Sequence, residues 1–201
     1  TQHDDILSDA CRQAIVNRNR ENTGKDDTAS HGWIHKALVE ARLKNSESVY
    51  DILNLLVHSD IFYTSLFTDH NTNRAKGVAC TDTLFGIAGI VNEMLVYSDR
   101  STIELFPALS SRIPKGKVCG LMTRAGVRID SLEWCINTGT EGLKTDMKDV
   151  FYIKLKITAL RETEFGLILK NENFNEMSKE DKSLFNQNIK LKSGEEYAIL
   201  L

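Results

Sequence analysis

Cys80-Thr81-Asp82-Thr83-Leu84-Phe85-Gly86, running on through Ile87-Ala88-Gly89-Ile90-Val91 to Asn92-Glu93-Met94-Leu95-Val96-Tyr97-Ser98, is the stretch from which the rest of the chain can be read. From Leu84 to Tyr97 its apolar residues fall at Leu84, Ile87, Ala88, Val91, Met94 and Leu95, with Phe85, Ile90 and Val96 besides. This is helical spacing with almost no polar face, which predicts a buried helix. Asp82 stands where an N-cap belongs, and Thr81 and Thr83 can serve the same role. Asp82 therefore has two readings, a helix cap or a catalytic base at the mouth of a helical bundle.

Upstream the pattern is helical throughout. Asp5 to Asn19 place Ile6, Leu7, Ala10, Cys11, Ala14 and Ile15 on one face, an amphipathic helix with Arg12, Arg18 and Arg20 outside. Arg20 to Ser30 is polar and contains Gly24, a loop. His31-Gly32-Trp33 opens a second helix to about Leu43, with Ile34, Ala37, Leu38 and Ala41 inward. After the turn Lys44-Asn45-Ser46-Glu47, a third helix from about Ser48 to His58 turns Tyr50, Leu53, Leu56 and Val57 inward. Helix, short turn, helix predicts an antiparallel αα-hairpin. Ile61 to Phe67 reads as extended, and Thr68 to Asn73 as a polar loop.

Downstream of Ser98 period-2 alternation replaces helical spacing. The alternating sets are Ile103 and Leu105; Val118 and Leu121; Val127, Ile129, Leu132 and Trp134; Phe151, Ile153, Leu155 and Ile157; Phe165, Leu167 and Leu169. Gly116, Gly120, Gly126, Gly139 and Gly142 read as turns or bulges between these strands. Asn171 to Gln187 is a loop or short helix, and Ile189, Leu191 and Tyr197 to Leu201 close the β part. This half is predicted to be antiparallel β. Helices segregated from strands mean an α+β chain, divided into residues 1–100 and 101–201.

The chain has 201 residues, 41% hydrophobic and 26% charged, with a net charge of -3. That balance gives no electrostatic case for nucleic acid or an anionic membrane as partner. No apolar run reaches the roughly 18 residues a membrane span needs, and Thr1-Gln2-His3-Asp4-Asp5 is not a signal peptide. Cys11, Cys80, Cys119 and Cys135 form no CxxC pair and no zinc-ligand spacing, and no cofactor motif is present. Buried free thiols fit a cytoplasmic setting, with two disulfides in a secreted chain as the alternative.

Polar residues with chemical potential gather at helix starts and in loops. His31 and Trp33 open one helix, Asp69 and His70 lie in the loop before another, and Asp82 opens the last. Starts of antiparallel helix pairs can converge on one end of a bundle, so these residues can line one cleft. Each has an ordinary alternative: Trp33 as core, His31 and His70 as surface or capping residues, Asp69 as a turn former. Glu93, inside the apolar helix, reads as the partner of an arginine. There is no Gly-rich phosphate loop, no Gly-x-Ser-x-Gly elbow and no metal-binding helix pair.

Asp82 to Trp134, DTLFGIAGIVNEMLVYSDRSTIELFPALSSRIPKGKVCGLMTRAGVRIDSLEW, resembles the C-terminal part of glycoside hydrolase family 95, the inverting α-L-fucosidases and their relatives. The family pattern is an Asp opening a helix that ends in EMLLQS or EMLLYS, then IELLPALP, then W/IPxGxVxGLxxRGGF, then a strand ending in EW. Glu93-Met94-Leu95, Ile103 to Leu109 and Gly116 to Leu121 match it in order. Weaker similarity covers Gly32-Trp33, Ala41-Arg42-Leu43 and Leu66 to Asn71. The resemblance implies the last helices of an (α/α)6 barrel followed by an antiparallel β-sandwich, and an oligosaccharide substrate or ligand. It also implies a mechanism in which a carboxylic acid protonates the leaving oxygen while a base roughly 6.5–9.5 Å away activates water. Asp82 matches the family's general base and His70 a histidine of its sugar pocket, with His31 and Trp33 on the same rim.

The departures are Cys80 and Leu84, which replace the family's Gln and Asn beside the base, and a longer loop from His70 to Asp82. The general acid and the asparagine pair that orients the base belong to earlier barrel helices of the family. The resemblance thus implies the C-terminal third of a family member, a fragment or the remnant of a truncated gene, inactive by itself. The alternative is a non-catalytic carbohydrate-binding or structural relative. Truncation would further expose apolar helix faces through which copies can self-associate.

Overall fold

The computed structural model describes residues 5–21, 29–70, 78–136, 152–174 and 177–200. They form a mixed α+β protein of two compact units, Thr1–Met94 and Leu95–Leu201.

The first unit is built from α1 (Asp5–Glu21), α2 (Ser30–Arg42), α3 (Ser46–His58) and α4 (Thr81–Leu95). Helices α2 and α3 form the predicted hairpin. Ile34, Ala37 and Ala41 of α2 are buried. The turn between them uses Lys44 at φ 62°. Asn45 then caps α3, its side chain accepting from the Ser48 N–H at 3.3 Å. The buried Glu40 carboxylate fixes this corner, accepting from Asn45 Nδ2 at 3.0 Å and Ser48 Oγ at 2.9 Å. Because α3 begins at Ser46, its buried stripe is Val49, Ile52 and Leu56, spaced i, i+3, i+7. Of the face expected from sequence only Leu56 is fully buried, and Val57 is 60% exposed.

Two helices are more exposed than their sequences predict. On α1, Ile6 and Val16 are exposed, and Leu7 and Cys11 face a groove of about 500 Å³ shared with Leu38, Val39 and Leu43. The amphipathic pattern forms its helix, but most of the apolar face stays uncovered by described residues. On α4, Ile90, Met94 and Leu95 are buried while Phe85 is 72% exposed. An all-round apolar helix in this chain is thus buried along one side only. It also ends earlier than predicted, because Val96–Ser98 leaves the helix to pair as a strand. Gly86 allows α2 and α4 to approach closely: a Cβ there would come within 2.3 Å of Ile34 Cγ2.

The second unit contains β1 (Val96–Ser98), β2 (Thr102–Leu105), β3 (Lys115–Val118), β4 (Leu121–Met122), β5 (Val127–Cys135), β6 (Tyr152–Ala159), β7 (Thr163–Leu169), α5 (Lys179–Phe185), β8 (Gln187–Leu191) and β9 (Glu196–Leu200). One sheet has the order β1-β2-β7-β8; the other has β3-β5-β6-β9, with β4 also paired to β5. The expectation of an all-antiparallel half is corrected at one place, since β2 and β7 run parallel, Thr102 opposite Gly166 through Leu105 opposite Leu169. The register of β5 on β6 shifts between Ile129 and Ser131. That irregularity explains why the inward residues change from odd positions, Val127 and Ile129, to even ones, Leu132 and Trp134.

Aromatic packing joins residues of both sheets. The Phe106 ring, just after β2, meets Trp134 of β5 edge-on at 5.4 Å and stacks on Phe174 at 5.2 Å. The Trp134 indole donates to the Ile113 carbonyl at 3.1 Å. Gly116, expected as a turn, instead lies inside β3 opposite Trp134, where an added Cβ would meet the ring at 2.3 Å. Gly120 and Gly126 do adopt positive φ, 77° and 80°, at the turns flanking β4. Gly139, Gly142 and Phe151 lie outside the described residues.

Candidate functional site

The candidate site lies where the N-termini of α2 and α4 come together. The segment before α4 runs back along the loop that precedes it. His70 N–H donates to the Val78 carbonyl at 2.6 Å, Cys80 N–H to the Thr68 carbonyl at 2.8 Å, and Asp69 N–H to the Ile61 carbonyl at 2.7 Å. The stretch read as extended, Ile61 to Phe67, is held instead by a tight turn. Leu66, at φ 63°, donates its N–H to the Tyr63 carbonyl at 2.8 Å.

Ser30, the first residue of α2, ties this loop to both helices. Its N–H donates to the His70 carbonyl at 2.7 Å and its hydroxyl to the Asp69 carbonyl at 2.7 Å. The same hydroxyl oxygen lies 2.6 Å from Thr83 Oγ1 on α4, and Thr83 Oγ1 lies 3.2 Å from Cys80 Sγ. Ser30, Thr68, Asp69, Thr83 and Cys80 are all buried. The Asp69 carboxylate accepts from the Tyr63 hydroxyl at 2.6 Å. Buried polar groups are stable only when so satisfied, so this network fixes the local backbone.

The predicted residues sit around that network. His31 and His70 are half-buried, with ring centroids 4.9 Å apart, and His35 lies one turn further along α2, 5.9 Å from His31. Trp33 is half-buried; its Nε1 is buried without a hydrogen-bond partner among the described residues, and the Lys36 ammonium lies 5.0 Å from its ring centroid. Asp82 is in the first turn of α4 rather than at its cap, exposed, next to Thr83. The capping role weighed for it is not used, and a carboxylate in the first helical turn is well matched to the helix dipole. The structure thus brings together His31 and His70, and joins the neighbours of His31 and Asp82 through the Ser30–Thr83 contact.

Glu93 pairs with Arg42, as its place in an apolar helix suggested. Ser30 was not singled out by sequence, where it ends a polar loop; the signal was a serine directly before an apolar helix, a common start position. Among the described residues no three His, Cys, Asp or Glu side chains gather as a metal site, and no helix is long and apolar enough to cross a membrane.

An exposed carboxylate can take a proton from water, and paired imidazoles can exchange hydrogen bonds with hydroxyl groups. No family model matches the chain. The chain is similar to Alpha-L-fucosidase 2 of Arabidopsis thaliana, 34% identical over a 139-residue alignment that covers 64% of this chain. The match spans 15% of that protein's length, so the likeness is to a fucosidase over a small part of it.

Proposed function

We propose that this chain contributes part of an inverting glycoside hydrolase site for terminal α-L-fucosyl or related α-L-galactosyl residues, with Asp82 as the general base. Asp82 takes a proton from the water that attacks the anomeric carbon. A carboxylic acid outside these 201 residues gives its proton to the leaving oxygen, as the family resemblance implies. His70 and His31 hydrogen-bond the sugar hydroxyls, and the Trp33 indole offers an apolar face or its N–H, which has no partner among the described residues. The reaction needs no cofactor.

The observation that carries this reading is the meeting of the α2 and α4 N-termini through Ser30 and Thr83, the chain neighbours of His31 and of the exposed Asp82, with the half-buried His31 and His70 rings 4.9 Å apart. It is supported by the likeness to Alpha-L-fucosidase 2. We read the helical unit as the end of an (α/α)6 barrel and the two-sheet unit as a β-sandwich. The exposed Ile6, Val16 and Phe85 favour the first, because a fuller barrel would cover such faces.

A second reading, a non-catalytic carbohydrate-binding or structural relative, is favoured by Cys80. Where the family pattern has a polar Gln beside the base, this chain has a buried thiol engaged with Thr83. The two separate on one experiment. The full-length gene product is assayed on aryl α-L-fucosides and α-L-galactosides with and without Asp82→Asn. The hydrolase reading expects turnover to fall by about 10²- to 10⁴-fold with the circular dichroism spectrum unchanged. Equal turnover in the two proteins removes Asp82 from the mechanism.

A further inference from the structure

We infer that Ser30 and Thr83 are positioning residues for Asp82: their buried hydroxyl pair sets the first turn of α4 against the loop that carries His70. The inference rests on the hydrolase reading of the site.

Proton counting gives the pair a direction. Ser30 has one hydroxyl proton, and it goes to the Asp69 carbonyl at 2.7 Å. The 2.6 Å contact with Thr83 Oγ1 therefore uses the Thr83 proton, so Thr83 donates to Ser30 and Ser30 to Asp69. Cys80 Sγ, 3.2 Å from Thr83 Oγ1, is a weaker acceptor competing for that same Thr83 proton. Ser30 also spends its backbone N–H on the His70 carbonyl at 2.7 Å. One serine thus binds consecutive carbonyls of the loop, at Asp69 and His70, and a side chain of α4.

No water reaches this linkage, because Ser30, Asp69 and Thr83 are fully buried. A lost hydroxyl is therefore not replaced by solvent, and the first turn of α4 is left free to shift. Asp82 and His31 are the next residues along the chain on either side of the pair. A displacement there changes the distance from the carboxylate to the sugar's anomeric carbon, to which turnover is steeply sensitive. Ground-state binding through His31 and His70 is less affected, since those rings still face each other across their own contact at 4.9 Å.

The test uses the full-length gene product on an aryl α-L-fucoside, comparing Ser30→Ala, Thr83→Val, Thr83→Ser and the Ser30→Ala/Thr83→Val double variant. Expected is a loss of about 10- to 100-fold in kcat for Ser30→Ala and Thr83→Val, with KM within about twofold. Thr83→Ser, which keeps the donor, restores kcat to within about threefold, and the double variant is no worse than the poorer single one, as befits one linkage.

Unchanged kcat in Ser30→Ala and Thr83→Val, while Asp82→Asn is inactive, overturns the positioning role and leaves the base in place. A fall in melting temperature with kcat intact also overturns it, reducing the pair to a structural bond. If Asp82→Asn retains full turnover, or the unaltered protein has none, the hydrolase reading fails and this inference with it. Should Ser30→Ala not fold, the contrast between Thr83→Val and Thr83→Ser decides alone.

Discussion

Arg42 and Glu93, fifty-one residues apart, meet through two parallel hydrogen bonds, Nε to Oε2 at 2.6 Å and an Nη nitrogen to Oε1 at 2.7 Å, joining the end of α2 to the last turn of α4. Both side chains are partly covered, at 38% and 25% exposure, so the pair lies between a surface ion pair and a buried one. The fork geometry spares much of the entropy that exposed pairs lose. Arg42→Met and Glu93→Gln are each expected to lower stability by about 1 kcal/mol, with a coupling of about 0.5–1 kcal/mol in the double-mutant cycle. Urea unfolding of the four proteins measures it; strictly additive losses would show the pair to be inert.

Trp134 covers Gly116 so closely that no side chain fits between the strands. Gly116→Ala puts a methyl group within 2.3 Å of the indole ring, and Trp134 is held in turn by Phe106 and by its bond to the Ile113 carbonyl. The ring has no easy retreat. Overpacking of this kind costs about 1–3 kcal/mol. The loss is read as a lower unfolding midpoint, together with a changed Trp134 emission spectrum. An unaltered midpoint would mean that the ring moves freely.

Strand positions were legible in the sequence because period-2 alternation is a direct image of a half-buried sheet. Val127, Ile129, Leu132 and Trp134 even carry the register shift of β5 in their change of parity. The parallel pairing of β2 with β7 was not legible, because alternation marks which face a residue takes and not which strand lies beside it. Exposure was misjudged on α1 and α4 for a related reason: an apolar face predicts a need for cover, and Ile6 and Phe85 have none among the described residues. At the site, His31 and Asp82 stand out as reactive types at helix starts and His70 as one in the loop before α4. Ser30 did not, since its significance lies in contacts with Asp69, His70 and Thr83, about 40 and 50 residues away in sequence.

On β5 and β6, Thr158 donates to Asp130 at 2.6 Å, and Arg128 adds a second bond at 2.6 Å to the other carboxylate oxygen. The Thr158 bond first, then the Arg128 bond and charge, hold the Asp130 carboxyl below its ordinary value of 3.8. A carboxyl depressed in the folded state contributes stability above the unfolded value near 3.8, and that contribution is lost as pH falls through the lower folded value. Thr158→Val is therefore expected to raise the Asp130 midpoint towards 3.8 and to start acid unfolding at a higher pH. Carbon-detected NMR titration of the carboxyl reads the first effect and acid denaturation the second. An unmoved midpoint would assign the depression to Arg128 and the Lys156 charge instead. Tyr152 is the alkaline counterpart: its hydroxyl donates to Glu133 at 3.0 Å, which raises the phenol above 10.0. Its contribution is complete below 10 and disappears as pH rises through the folded value.

Asp69 is fully buried with a carboxylate, and the Tyr63 hydroxyl donates to one of its oxygens at 2.6 Å. Its backbone is engaged as well, the N–H with the Ile61 carbonyl and the C=O with Ser30. Tyr63→Phe removes the phenol donor with little change in shape and so takes one bond from a buried carboxyl group. A buried acceptor deprived of a charge-assisted bond costs about 1–3 kcal/mol. The loss should appear as a lower unfolding midpoint and as faster hydrogen exchange of the Asp69 amide, bonded to Ile61, and of the His70 and Cys80 amides, which hold the loop against the segment before α4. If exchange quickens there while the α2–α3 hairpin amides keep their protection, the polar network supports the site locally. Uniformly faster exchange would mean instead that Tyr63 stabilises the whole helical unit, and the loop under His70 would then owe its conformation to packing rather than to its hydrogen bonds.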